Sequence, residues 1–84
     1  MAELTTMLNI GSEIEKKLKA IGITSAEELV QVGSEEAFMR LKTRYPNVCL
    51  VHLYTLQGAV DGIEYNQLSD KVKNRLKIFS DGLK

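Results

Sequence analysis

The chain has 84 residues, 11 Lys and Arg against 11 Asp and Glu, one cysteine, one histidine and one proline. That length holds one domain, residues 1–84, near the lower size limit for a self-sufficient core, and a single cysteine excludes an internal disulfide, as suits a cytoplasmic protein. The formal net charge of zero excludes a uniformly basic nucleic-acid binder, though not a local basic patch.

The first segment, Glu3–Leu8, reads as one or two helical turns with Leu4, Met7 and Leu8 on one side. It has neither the basic start nor the long apolar run of a signal peptide. Asn9-Ile10-Gly11 is a turn, and Asn9 suits the left-handed backbone of a helix exit. Ser12 then caps a helix to about Ile21, with Glu15 completing a capping box. Its apolar stripe is Ile14, Leu18 and Ile21; Lys16, Lys17 and Lys19 face outward. Gly22 ends it. Thr24 or Ser25 opens the next helix, with Glu27 or Glu28 as its box partner and Ala26, Leu29 and Val30 on its buried side, and Gly33 stops it. Ser34 caps a helix to about Arg44 that buries Ala37, Phe38 and Leu41. Tyr45-Pro46 ends that helix, because the residue before proline disfavours the α region.

Asn47 can cap the most apolar helix, Val48 to about Asp61, which contains Leu50, Val51, Leu53, Leu56 and Val60. A helix apolar on most sides is buried on most sides, so this is the expected central helix. Gly62 ends it. Ser69 caps a last helix to about Ser80, with Val72, Leu76 and Phe79 inward, and Gly82 closes it. No strand pattern competes, and no apolar run approaches the roughly 18 residues of a membrane span. The fold class is all-α: five or six short helices of SAM-like or helix-hairpin-helix type around the Val48–Asp61 helix. Three glycines, Gly11, Gly22 and Gly33, recur every eleven residues and punctuate the first half of the chain.

The chain offers little catalytic machinery. Cys49 and His52 lie three apart on the apolar helix and share a face. They read as a small core residue and a helix-edge histidine, since a metal needs three or four ligands and nothing with zinc-like spacing joins them. Glu27-Glu28 and Glu35-Glu36 fall in first helical turns, where they complement the helix dipole. No glycine-rich phosphate loop is present. The expectation is a protein that is not an enzyme, with no cofactor, metal or small-molecule substrate.

Two surfaces are candidates for binding. Leu8-Asn9-Ile10-Gly11 followed by Ile14 and Leu18 has the pattern of a helix-hairpin-helix turn. Such a turn presents the unpaired N–H groups and the positive dipole end of a helix to a phosphate. Asn9, Ile10, Gly11 and Ser12 are its contact candidates, and Lys16 adds a charge one turn later. Against this, the Ser12/Glu15 box would satisfy those N–H groups internally, and Glu13 and Glu15 stand where a phosphate would lie. The second surface is basic: Lys71 with Arg75 and Lys73 with Lys77 are i, i+4 pairs on the last helix.

Leu8-Asn9-Ile10-Gly11, Ile21-Gly22-Ile23, Ala26-Glu27-Glu28-Leu29, Val32-Gly33, Pro46-Asn47-Val48-Cys49-Leu50 and Leu53-Tyr54 through Gly62-Ile63 together resemble the C-terminal domain of the TfoX/Sxy family. The likeness continues through Leu68, Val72-Lys73 and Leu76-Lys77. It implies a small all-helical fold of SAM/helix-hairpin-helix type. In bacteria such as Haemophilus, family members promote competence-gene expression with the cyclic-AMP receptor protein. Those are two-domain proteins, whereas this chain is expected to begin at Met1 directly inside the C-terminal domain. The resemblance implies a non-catalytic, DNA-associated regulator whose partner is DNA or a regulatory protein. The alternative expectation is a protein-interaction module, self-associating as a homodimer, that binds no nucleic acid. Neither reading involves a membrane.

Overall fold

A computed structural model describes residues 2–83 as an all-helical unit with no strand among them. Five α-helices follow one another: α1 Ser12–Ala20, α2 Ala26–Val32, α3 Ser34–Arg44, α4 Leu50–Asp61 and α5 Asp70–Asp81. Two single 3₁₀ turns, Leu4–Thr6 and Tyr65–Gln67, precede α1 and α5. Leu4 is buried between α1 and α2, so the expected first helix is shortened to one tight turn that carries an anchor.

Side chains from nearly every element meet in one core: Leu4, Leu18, Ile23, Leu29, Phe38, Leu53, Leu56 and Leu76 are fully buried. α4 is the centre, packed by α3, by α5 and by the Tyr65–Gln67 turn. Its burial is less complete than its composition suggests. Leu53, Thr55, Leu56, Gly58 and Ala59 are buried, but Val51 is 52% exposed. α4 also begins two residues later than expected, with Cys49 and not Asn47 at its N-cap. Val48 is drawn into the core just before the helix, and its N–H closes the Tyr45–Val48 turn by donating to the Tyr45 carbonyl at 3.0 Å.

The eleven-residue glycines divide into two kinds. Gly22 and Gly33 sit at φ +90° and +89°. Gly33 ends α2 and is also the residue before α3, a left-handed joint between two helices with no connecting loop, where a side chain would be strained. Gly11 is different: at φ −95°, ψ −178° it is ordinary extended backbone, and the left-handed residue of that turn is Asn9 at φ 71°.

Ser25 caps α2, accepting the Glu28 N–H at 3.2 Å, while the Glu28 carboxylate accepts the Thr24 N–H at 3.2 Å. Ser69 caps α5 through the Val72 N–H at 3.3 Å. Three expected caps, Ser12, Ser34 and Asn47, are absent. Gly33 stands where Ser34 was expected, so Ser34 is already helical; it is buried, and its hydroxyl donates to Gln57 Oε1. Gln57 also donates to Asp61 at 2.8 Å and accepts from Arg75 at 3.4 Å, joining α3, α4 and α5.

Gly58, in the middle of α4, is held there by close approach. A Cβ on it would lie 2.5 Å from Asn9 Nδ2 and 2.6 Å from the Ile63 carbonyl oxygen. Asn9 in turn donates from Nδ2 to the Ile63 carbonyl at 3.0 Å and accepts the Tyr65 N–H at 3.3 Å. Its hairpin is thereby bolted to the end of α4. Replacing a mid-helix glycine by alanine ordinarily stabilises by up to about 1 kcal/mol. Here the overpacking term of about 1–3 kcal/mol falls partly on a backbone oxygen and reverses the sign. Gly58→Ala is expected to lower the melting temperature by about 5–15 °C in a domain of this size, as read by circular dichroism.

Candidate functional site

The hairpin turn reaches α1 through Met7 to Gly11. The Ile10 N–H donates to the Met7 carbonyl at 3.4 Å. Ile10 is only 5% exposed and belongs to the core, so it offers a ligand nothing but backbone. Asn9 is likewise committed, with both ends of its amide bonded to the backbone of the Ile63–Tyr65 segment. Gly11, Ser12 and Lys16 remain exposed.

The expected capping box at this helix does not form. Gly11 occupies the N-cap, no side chain caps it, and Ser12 has become the first helical residue. A hydroxyl at that position no longer projects back over the amides of the first turn, which is why the swap of roles removes the box. Glu15, the expected box partner, faces Lys19 Nζ at 3.9 Å. The N–H of Glu15 is the first held within the helix, by the Gly11 carbonyl at 3.0 Å. The start of α1 therefore lacks the internal cap that the sequence suggested, while Glu13 and Glu15 both remain in its first turn.

The basic candidates separate. Lys71, Arg75 and Lys77 are exposed on α5. Lys73 is half-buried, and its carbonyl accepts from the Tyr54 hydroxyl at 3.4 Å. α1 packs on α3 and the first 3₁₀ turn, whereas α5 packs on α4, so the two candidate surfaces rest on different neighbours. Lys17 was expected outward. It is half-buried, with Nζ 5.6 Å from the Tyr45 ring centroid, a cation–π contact that Arg44 repeats at 5.7 Å.

Cys49 corrects the core assignment: it is exposed. As N-cap of α4 it turns outward, between Val48, which is buried ahead of the helix, and the partly buried Leu50. Its N–H donates to His52 Nδ1 at 3.1 Å, and its Sγ lies 3.5 Å from the same nitrogen. His52 thus caps the helix, and Nδ1 is unprotonated in this arrangement. Among the described residues no group of three or more His, Cys, Asp or Glu is placed to hold a metal ion. No helix among them is long and apolar enough to cross a membrane. Two shallow depressions lie away from the hairpin, one lined by Met39, Lys42, Thr43 and Leu83, the other by Ala26, Glu27, Val30 and Gln31. The second corrects an expectation: Val30 was expected with Ala26 and Leu29 on the buried side of α2, but only Leu29 is fully buried and Val30 is 53% exposed. A helix of seven residues is too short to fix both edges of its apolar face.

Five short helices with α4 at their centre, entered through a hairpin that is bonded to the end of α4, define a small all-α domain. The chain belongs to the TfoX C-terminal domain family, which it matches over residues 1–79. An uncharacterized protein from Listeria monocytogenes, solved in a triclinic form, is 41% identical, with 98% of this chain and 93% of that one covered and a TM-score of 0.95. A protein of unknown function from Listeria monocytogenes in a tetragonal form is 40% identical, covering 98% and 100%, with a TM-score of 0.94. No functionally curated protein matches.

Burial of the His52 ring, and then the Lys17 ammonium, push its pKa below the usual 6.5. A lowered histidine pKa means that the unfolded chain binds the proton more tightly. The contribution is therefore intact above about pH 6.5 and is lost as pH falls through the folded-state value. Urea midpoints should decline from pH 7.5 to pH 5, and His52→Gln should flatten that decline. Cys49 should react fully with a thiol reagent in the native protein, without urea.

Proposed function

We propose that the domain is a non-catalytic binding module whose hairpin takes a phosphate of a DNA backbone, in the manner of a DNA-associated regulator of competence-type gene expression. The observation that carries this reading is Gly11. Its φ is one any residue adopts, and a Cβ there meets nothing within 4 Å. Neither strain nor packing demands a glycine, while a bare N-cap lets a ligand approach the backbone closely. The first-turn amides and the positive end of the α1 dipole add attraction for an anion. Lys16 is exposed one turn further on. Glu13 and Glu15 oppose it, though Glu15 is partly offset by Lys19, so the contact is weak and specific to an approach over Gly11. The non-catalytic part of the reading rests on the single cysteine and the single histidine, which are engaged in capping α4.

Fluorescence anisotropy with duplex and single-stranded DNA at low and moderate salt tests it. Affinity should fall as salt rises, by about 0.9 in log K per log salt for each duplex phosphate contacted. Gly11→Asp supplies both an N-cap and a competing negative charge. It should hold or raise stability by a few tenths of a kcal/mol, and weaken DNA binding about tenfold or more. Lys16→Glu should make the salt dependence shallower. No binding at low salt, or binding indifferent to both substitutions, refutes the hairpin contact.

A further inference from the structure

We infer that the domain associates head to tail with a second copy of itself, the Ile78 ridge of α5 seating in the shallow groove of α2. Ile78 is 72% exposed, more than any other large apolar side chain described. Three and seven residues before it, Arg75 and Lys71 stand on the same outward ridge, and both are exposed. Lys77 adjoins Ile78 on the flank, and Asp81 is the acid one turn beyond. Arg75 is steadied by its bond to Gln57 at 3.4 Å. This surface is an apolar knob with cations beside it.

The groove has the opposite character. It is lined by Ala26, Glu27, Val30 and Gln31, and Val30 is 53% exposed. α2 carries Glu27 and Glu28 and no basic residue. Glu27 accepts the Ala2 N–H on both carboxylate oxygens, at 3.0 and 3.1 Å. The Ala2 carbonyl accepts the Ala26 N–H at 2.9 Å, which brings the exposed Glu3 alongside. Glu27 and Glu28 are held below the usual carboxylate range, Glu27 first by its own backbone N–H and then by that of Ala2, Glu28 first by the Thr24 hydroxyl. The groove is an apolar floor beside carboxylates fixed in place and ionised.

Single exposed apolar side chains are common and carry no message alone. A second copy of this chain is indicated by the match of both sign and shape between two surfaces of one molecule whose net charge is zero. A partner of uniform charge would suit only one of them. α2 packs on α3, α3 on α4 and α4 on α5, so groove and ridge are carried by the two ends of that order. Contact between unlike patches is heterologous: each copy keeps one free ridge and one free groove, and growth continues. A seven-residue helix and one ridge cover little area, below the roughly 1,200 Å² of weak interfaces, so dissociation constants near ~0.1 mM are expected. The inference uses neither Gly11 nor Lys16 and stands apart from the phosphate reading.

Sedimentation equilibrium of the full chain, over roughly 10 μM to 1 mM, provides the test. The average mass should climb past that of a dimer and fall as salt rises, because the charged rims are screened. Ile78→Glu and Val30→Lys should each weaken association about 30-fold or more. An equimolar mixture of the two variants should form a complex of twice the chain mass and grow no further, since one retains the groove and the other the ridge. That mixture also shows both variants to be folded. Wild-type protein that stays monomeric at the top concentration overturns the inference. So do variants that still self-associate, or a mixture that forms no complex. DNA anisotropy of the same samples reports separately on the hairpin.

Discussion

Asn9 and Gly58 meet across a gap too narrow for a methyl group, and much of the rest of the fold hangs on that contact. Asn9 takes a left-handed backbone in the hairpin, and its amide reaches the Ile63 carbonyl and the Tyr65 N–H. Both partners lie just past the end of α4, where an apolar helix must give way to a turn. One side chain therefore closes the hairpin, satisfies the exit of the central helix and sets where the Tyr65–Gln67 turn lies. The arrangement requires that α4 present no side chain at Gly58. An apolar helix would otherwise gain from a larger residue there. The structure accepts a less favourable helix former in exchange for a short approach between two backbone segments.

That same commitment shapes what the surface can do. Because Asn9 is spent inside the fold, any recognition at the hairpin passes to backbone amides beyond Gly11 and to Lys16. The shortest helix and the last one carry outward apolar residues, Val30 and Ile78, as α4 itself carries Val51. The chain is balanced in charge, yet the balance is local. Carboxylates gather where helices begin, unaccompanied by any basic residue on α2, and cations gather along α5. A neutral total thus conceals two surfaces of opposite character, and bulk composition is silent about them.

Local rules carried the element count a long way. Ser25 and Ser69 cap as their spacing predicts, Tyr45-Pro46 stops α3, and the Leu18, Leu29, Phe38, Leu53 and Leu76 stripes all turn inward. The failures all have a tertiary origin. At Gly11–Ser12, Gly33–Ser34 and Asn47–Cys49 the N-cap sits one or two residues from the hydroxyl or amide that local preference favours. At the first and third an aliphatic anchor, Ile10 or Val48, is pulled into the core, and at the second the positive-φ Gly33 joint and the burial of Ser34 fix where helical geometry begins. Capping is worth about 1 kcal/mol; burying a whole aliphatic side chain is worth about 1.5–3 kcal/mol. Packing wins, and the register of the helix start follows it. Cys49 is exposed for the same reason. The candidate site was legible as a hairpin, but not the loss of its capping box or the diversion of Asn9.

By itself the amino-acid sequence determined an all-helical domain, the approximate span of its helices, the dominance of the segment ending at Asp61 and the family to which the chain belongs. Those features follow from periodicity and from breakers that act over a few residues. Only the tertiary structure decided which polar groups are spent on the fold and which face outward. Asn9 is separated from Ile63 and Gly58 by about fifty residues, and Ser34 from Gln57 by 23; no local pattern encodes such pairings. Whether a polar or apolar side chain is free to bind depends on what the rest of the chain places beside it. The binding surfaces are accordingly a property of the packed molecule.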